Sequence, residues 1–184
     1  MGRLVYSMNV SADGFVADAD GEFGWGEPDE EVLAAINEAT AGAGTYLYGR
    51  RIYELMHVWE TEPEFAHGEG ASGDFARIWQ RAEKIVYSTT LDDVLTANTQ
   101  LKRAFDPDEV RSLVAAADGD VTIEGPTLAA HALQHGLIDV AHCWVHPLVL
   151  GGGLPFWPHQ RLGLRLQRVR SFASGVVELV HSVR

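Results

Sequence analysis

Hydrophobic positions along the chain recur at a period of two in some stretches and near 3.6 in others, which predicts strands and helices in turn. Arg3 to Val10 reads as a first strand, closed by the turn Ser11-Ala12-Asp13-Gly14. Pro28 to Ala41 reads as a helix with Val32, Leu33, Ile36 and Ala39 on its buried stripe. Pro28 suits the first position, and Asp29, Glu30 and Glu31 suit the positive end of the helix dipole. Thr45 to Tyr48 is a short strand, and Gly49-Arg50-Arg51 opens a second helix. Glu60 to Gly73 is polar and Gly-rich, which predicts a loop. Asp74 to Glu83 then carries Phe75, Ile78, Trp79 and Ala82 on one helical face, and Lys84 to Ser88 is the next strand. Asp106-Pro107-Asp108-Glu109 is a helix start, with Asp as N-cap, Pro next and Glu third. Val110, Leu113 and Val114 face inward behind it.

The stretch from Val121 to Trp157 organises the rest. A short β-branched strand, Val121-Thr122-Ile123, meets the turn Glu124-Gly125-Pro126. Leu128, Ala132 and Leu133 then form a helical stripe that stops at Gly136, a natural C′ residue, with Leu137 placed for the closing hydrophobic contact. Ile138 to Val145 is a second strand, followed by the turn Gly151-Gly152-Gly153. Leu162 to Leu166 and Val177 to His181 alternate at period two around Ser174-Gly175, which predicts an antiparallel hairpin at the end. With strands and helices alternating and neither repeat nor linker, residues 1–184 are expected to form one α/β domain. Its architecture is a three-layer α/β/α sandwich on a mixed, mostly parallel central sheet.

The net charge of −12, from 14 Lys+Arg against 26 Asp+Glu, argues against nucleic acid and anionic membrane surfaces as partners. Against that background an Arg pair at a Gly turn stands out. Arg50 and Arg51 follow Gly49 at a helix start, where free N–H groups and the dipole favour an anion. They mark either a bound polyanion or a solvated arginine pair. The helix after Gly125 offers the same chemistry through Pro126, Thr127 and Leu128. Ser88 and Thr89 are either further polar contacts or a hydroxyl-capped turn. The eight histidines include His131 with His135 and His142 with His146, but no carboxylate or Cys pair is spaced to join them, so no metal site is expected. The one Cys, Cys143, reads as a buried small hydrophobe. With neither a signal peptide nor an apolar run of membrane-spanning length, a cytoplasmic location is expected.

The middle stretch resembles the reductase C-terminal domain family of riboflavin biosynthesis, which shares the dihydrofolate reductase fold. Gly125, Leu128 and Ala129 match its G-G-x-x-L-A. Gly136-Leu137-Ile138-Asp139 matches G-L-[IV]-D, and Pro147 to Gly153 with Phe156 matches the P-[VL]-[VL]-G-G-G-x-x-x-F run. Ser11 to Ala17 follows S-L-D-G-[FYK]-[IV]-A with Ala12 for Leu, and Ser88 to Leu91 follows S-x-T-L. The departures are Glu124 for the first Gly of the pair, Val140 for a Glu, Ile52 for Thr in the phosphate turn, and Ser7 for a Lys before the first loop. The segment from Tyr53 to Trp59 replaces a D-D-P-x-L-T-x-R run, and the H-x-E and P-C-x-x-C of the deaminase that often precedes this domain are missing.

The resemblance implies NADPH as cofactor, held by Gly49, Arg50, Arg51, Ser88, Thr89, Gly125, Pro126, Thr127 and Leu128. Asp18 to Gly26 would be the mobile loop over the nicotinamide. Trp25, Pro28 and Glu30 have the order of the W-x-x-P-x-[DE] segment of dihydrofolate reductases, so Glu30 is the candidate catalytic acid, or else a helix-end charge. Trp25, Asn9 and Tyr53 are the candidate substrate contacts. The implied activity is hydride transfer from NADPH to a small pyrimidine- or pteridine-type heterocycle. It would be like that of 5-amino-6-(5-phosphoribosylamino)uracil reductase or dihydrofolate reductase, and a homodimer is implied. The alternative is a nucleotide-binding protein of the same fold without turnover.

Overall fold

A computed structural model describes residues 2–184. In chain order the elements are β1 (Leu4–Ser11), β2 (Phe15–Ala17), α1 (Glu30–Thr40), β3 (Thr45–Gly49), α2 (Arg50–Met56), α3 (Val58–Thr61), α4 (Pro63–Ala66), α5 (Gly70–Arg81) and β4 (Glu83–Tyr87). There follow β5 (Thr99–Lys102), α6 (Pro107–Ala116), β6 (Val121–Glu124), α7 (Pro126–Gln134), β7 (Val140–His146), β8 (Leu154–Pro155), β9 (Leu164–Ser171) and β10 (Val177–Val183). Eight strands form one sheet in the order β5-β4-β3-β6-β1-β7-β10-β9, and β2 pairs with β8 apart from it. The contacts β1–β6, β1–β7, β3–β6, β3–β4 and β4–β5 are parallel. The last strand, β10, runs antiparallel to β7 and to β9.

Side chains alternate across the sheet, so each face has its own core. On one, Leu4, Tyr6, Leu47, Ile85, Ile123, Ala141 and Cys143 pack with Val110 of α6 and with Leu128, Ala129, Ala132 and Leu133 of α7. On the other, Tyr46, Tyr48 and Val86 meet Tyr53 of α2 and Phe75 and Trp79 of α5. Trp144 on that face meets Val32 and Ala35 of α1. The result is the α/β/α sandwich with a closing hairpin. No helix among the described residues is long and apolar enough to cross a membrane.

The ends of α6 and α7 form as their residues require. Asp106 accepts the N–H of Asp108 at 2.9 Å and of Glu109 at 3.3 Å. Gly136, at φ +61°, closes α7 with paired bonds from its N–H to Leu133 O at 3.1 Å and from Leu137 N–H to Ala132 O at 3.0 Å, the double bond of a left-handed cap. Other expectations shift. Asp29, not Pro28, starts α1, its carboxylate accepting Val32 N–H at 2.9 Å, and Ala39 turns out exposed while Ala35 is buried. The expected loop from Glu60 to Gly73 instead contains the end of α3, the single turn α4 and the first turn of α5. The short edge strand β5 and the β2–β8 pair, two or three residues a strand, have no periodic signal to show them.

The β2–β8 pair is clamped by Asp13. Its Oδ1 accepts Ser11 Oγ–H at 2.7 Å and Leu150 N–H at 3.0 Å, and its Oδ2 accepts Gly151 N–H at 2.7 Å. The turn after β1 is thereby tied to the Gly151–Gly153 turn beyond β7, over the carboxyl ends of the two central strands.

Candidate functional site

In an open parallel sheet, ligands bind beyond the carboxyl ends of the strands. Here a cavity of about 840 Å³ runs along that edge. The strands β4, β3 and β6 are neighbours, so their tips present Ser88-Thr89-Thr90, Gly49-Arg50-Arg51 and Glu124-Gly125-Pro126-Thr127 side by side, and all of these line the cavity. Arg103 joins them, and its guanidinium donates to Ser88 O at 3.2 Å. Gly125 holds φ +95° as the N-cap of α7, with Pro126 behind it. That conformation aims the free N–H groups of the first turn past the sheet edge.

The tips of β1 and β7 contribute Ser7, Met8, Asn9 and Trp144. Leu33 and Ile36 of α1, Ile52, Leu55 and Met56 of α2, Trp59, and Phe75 of α5 wall this side, so its lining is apolar over a polar floor. The loop before α1 closes over it with Phe23 and Trp25. The Trp25 ring stands edge-on to His146 at 5.8 Å between centroids. His146 Nε2 lies 3.1 Å from Asn9 Oδ1. Burial, partly offset by the nearby Asp29 charge, lowers the His146 pKa. The neutral ring therefore donates to the Asn9 oxygen and leaves the Asn9 amide N–H groups for the cavity.

Eleven of the thirteen expected site residues, the nine cofactor positions with Trp25 and Asn9, thus come together in one cavity. The other two do not. Tyr53 is 1% exposed in the core; its hydroxyl accepts Leu95 N–H at 2.7 Å and lies 3.1 Å from Thr96 Oγ1, so it is a packing and loop-anchoring residue, not a substrate contact. Glu30 lies outside the cavity lining, and its Oε1 accepts Ala71 N–H at 3.0 Å. A carboxylate there satisfies an orphan donor in the first turn of α5, whose own N-cap, Glu69, makes no side-chain bond. Ser88 does double duty, since its Oγ accepts Thr90 N–H at 3.2 Å and Leu91 N–H at 2.9 Å. Its hydroxyl holds the turn that presents Thr89.

The residue that the sequence reading marked only as a departure, Glu124, is the most perturbed acid of the site. It is partly buried by surface area, yet what remains open faces the cavity, and the surrounding protein pushes its pKa up to about 8. It is therefore mostly uncharged near neutral pH and does not repel an anion bound at the adjacent α7 start. Of the histidines named from the sequence, His142 bonds Glu178 at 2.8 Å and His131 lines the cavity. Cys143 is buried, its thiol pushed up to about 12.

For NADPH the donors fit. Arg51 has no hydrogen-bond or ion-pair partner among the described residues, and its guanidinium lies 3.5 Å from where a Gly21 Cβ would stand. Arg50 is shared between Glu54 at 2.6 Å and Thr90 Oγ1 at 2.9 Å. Forked guanidinium donors, hydroxyls and a helix start within one groove are what a dinucleotide phosphate requires.

Residues 3–178 match the family model described as the RibD C-terminal domain. An uncharacterized protein of Bacillus subtilis strain 168, YyaP, is 27% identical over 188 residues, which cover 97% of this chain and 94% of that protein. Among solved structures, a putative riboflavin biosynthesis protein from Shewanella sp. PV-4 superposes with a TM-score of 0.71 at 18% identity, covering 100% of this chain and 99% of the other. A pyrimidine reductase-like protein from Corynebacterium diphtheriae gives 0.68 at 13% identity, over 100% and 92%. A diaminohydroxyphosphoribosylaminopyrimidine deaminase/5-amino-6-(5-phosphoribosylamino)uracil reductase of Thermotoga maritima gives 0.63 at 15% identity, and there 98% of this chain spans 56% of that chain. At these identities the structural likenesses establish a shared fold.

Proposed function

The chain belongs to the RibD C-terminal domain family, and on that premise we propose that it is an NADPH-dependent reductase acting on a small pyrimidine- or pteridine-type heterocycle. The observation that carries this reading is the division of one cavity between phosphate-type donors at the β4, β3 and β6 tips and an apolar slot at the β1 and β7 tips. When bound, the cofactor supplies the hydride; the chain supplies binding, orientation and exclusion of water. Arg51, Arg50, Thr89 and the α7 start would hold the phosphates. Trp25, Leu33, Ile36, Met56 and Trp144 would hold a flat acceptor ring in a dry slot, and Asn9 would fix its orientation through its amide.

The test is a titration of the purified protein with NADPH, followed by the loss of NADPH absorbance against a panel of pyrimidines and pteridines. Saturable binding with turnover on at least one member is the expected result; failure to bind NADPH overturns the reading. A second reading, nucleotide binding without turnover, draws on the engagement of Glu30 with Ala71 outside the cavity, which removes the acid expected from α1. Binding with no turnover across the panel would select it.

A further inference from the structure

The two ends of the cavity differ in charge. Among the described residues, the cations that line it are Arg50, Arg51 and Arg103, all at the end formed by the β3, β4 and β5 tips. His131 belongs to that end as well, its ring 6.2 Å from that of Phe105 between centroids. The other end, at the β1 and β7 tips, is lined by Ser7, Met8, Asn9 and Trp144. The two carboxyls of the lining, Glu27 and Glu124, offer an anion no counter-charge. The division is written into the chain: from residue 4 to residue 76, which includes β1, the loop over the cavity, α1, α2 and α3, the only basic residues are Arg50 and Arg51. Helix α2 spans it. Its first turn bears the two arginines, while Ile52, Met56 and, just beyond the helix, Trp59 follow at spacings of four and three and share one face. Leu33, Ile36, Ile52, Met56 and Trp59 are each half-buried. Their backs pack on the core around Tyr48, Tyr53 and Trp79, and the area still open is cavity wall.

Apolar wall left wet in a cavity favours an apolar occupant. A phosphate taken out of water there, with no counter-charge to meet it, is strongly disfavoured. We propose, resting on the reductase reading above, that the acceptor is an uncharged ring bearing an apolar substituent and no phosphate, and that the Ile52, Met56 and Trp59 face receives the substituent. The arginines are committed to the other end. Arg50 is held by Glu54 and Thr90. Arg103 donates to the carbonyls of Ser88 at 3.2 Å and Leu91 at 2.5 Å, so turning away would release the turn after β4. Arg51, beside Gly21, is the one left for the cofactor phosphates. A sugar phosphate on the acceptor would therefore meet Met56 and Trp59 where it needs a guanidinium or ammonium, whereas an aliphatic or aryl group would cover their open area. Specificity for the acceptor is thus set by the second half of α2 and by Trp59, and cofactor binding by the first turn of the same helix.

Four probes sharing one ring test this: uracil, 1-benzyluracil, uridine and uridine 5′-phosphate. Each is titrated by calorimetry onto protein saturated with NADP+ or, if NADP+ is refused, onto Arg51→Ala, so that the phosphate does not lodge at the α2 start. 1-Benzyluracil should bind about tenfold or more tightly than uracil, and uridine 5′-phosphate no more tightly than uridine. Met56→Lys keeps an unbranched stem and adds an ammonium. It should narrow the preference for benzyl over phosphate by about tenfold or more. Uridine 5′-phosphate bound more tightly than uridine, or no gain from the benzyl group, overturns the proposal on the Met56-bearing protein alone, whether or not the variant folds. An unchanged preference in a folded Met56→Lys overturns the place given to the substituent. NADPH titrated onto the wild type separates the two readings. NADPH refused while the benzyl preference holds sinks the reductase reading alone, and NADPH bound while the phosphate is preferred sinks this inference alone.

Discussion

Arg50 and Arg51 sit side by side in the chain but are not equivalent. Arg50 is partly neutralised by Glu54 and steadied by Thr90, whereas Arg51 keeps its donors for a ligand. Arg51→Ala should therefore weaken NADPH binding by about 1.5–3 kcal/mol, the range for a charge-assisted phosphate contact. Arg50→Ala should cost less, and calorimetry on both variants checks the order. Glu124 acts on stability in the opposite sense from an ordinary carboxylate. Its pKa rises from the usual 4.5 to about 8 in the folded protein. Between those values the folded state holds a proton that the unfolded chain has lost, so stability falls as pH rises through the window and is lowest above it. The loss is on the order of 3 kcal/mol once the water in the cavity is allowed for. Thermal unfolding of Glu124→Gln should match the wild type near pH 4 and exceed it near pH 9.

The first turn of α5 shows what element-level reasoning can and cannot read. The expected start at Asp74 follows from apolar spacing, but the helix begins at Gly70, because Glu30 brings a carboxylate from α1 to the Ala71 N–H. A cap supplied from 41 positions away leaves no local trace, and the same contact withdraws Glu30 from the cavity. Glu30→Ala should destabilise the protein by about 1 kcal/mol, the worth of a helix cap, and leave NADPH affinity unchanged. Denaturant unfolding and a binding titration test both halves. Elements whose ends are set by their own residues were legible: the Asp106-Pro107 start of α6, the Gly125-Pro126 start of α7 and the Gly136 stop. The residues proposed to hold the cofactor line one cavity for the same reason, since phosphate-type donors sit at helix starts. The apolar slot was not legible, because Met56 of α2, Phe75 of α5 and Trp144 of β7 come together only in the folded packing, and Tyr53 turns its hydroxyl to Leu95 and Thr96.

Across the whole molecule, the sheet is covered by helices in its parallel part and left open at its antiparallel end. Along β9, Leu164, Leu166 and Val169 are 41%, 54% and 59% exposed, on an edge strand whose outer backbone groups are free to pair. An apolar strip of this kind is the surface on which the homodimer expected from the family resemblance would form. Leu166→Glu should then shift the protein toward monomer in sedimentation at matched concentration, and an unchanged profile would place any interface elsewhere. The strand order has a further bearing, on how the chain acquires its shape. The central strand β1 is the first made, yet its neighbours are β6 and β7, so Leu4 pairs with Val121 and Val5 with Val140. Nothing local can satisfy β1 meanwhile, and closing so long a loop precedes any gain from the contact. Leu4, Tyr6 and Val10, all buried in the finished fold, stay uncovered while a ribosome adds more than a hundred residues. Nascent chains halted before Val140 should accordingly be protease-sensitive from end to end, with protection arriving in one step once β7 has emerged.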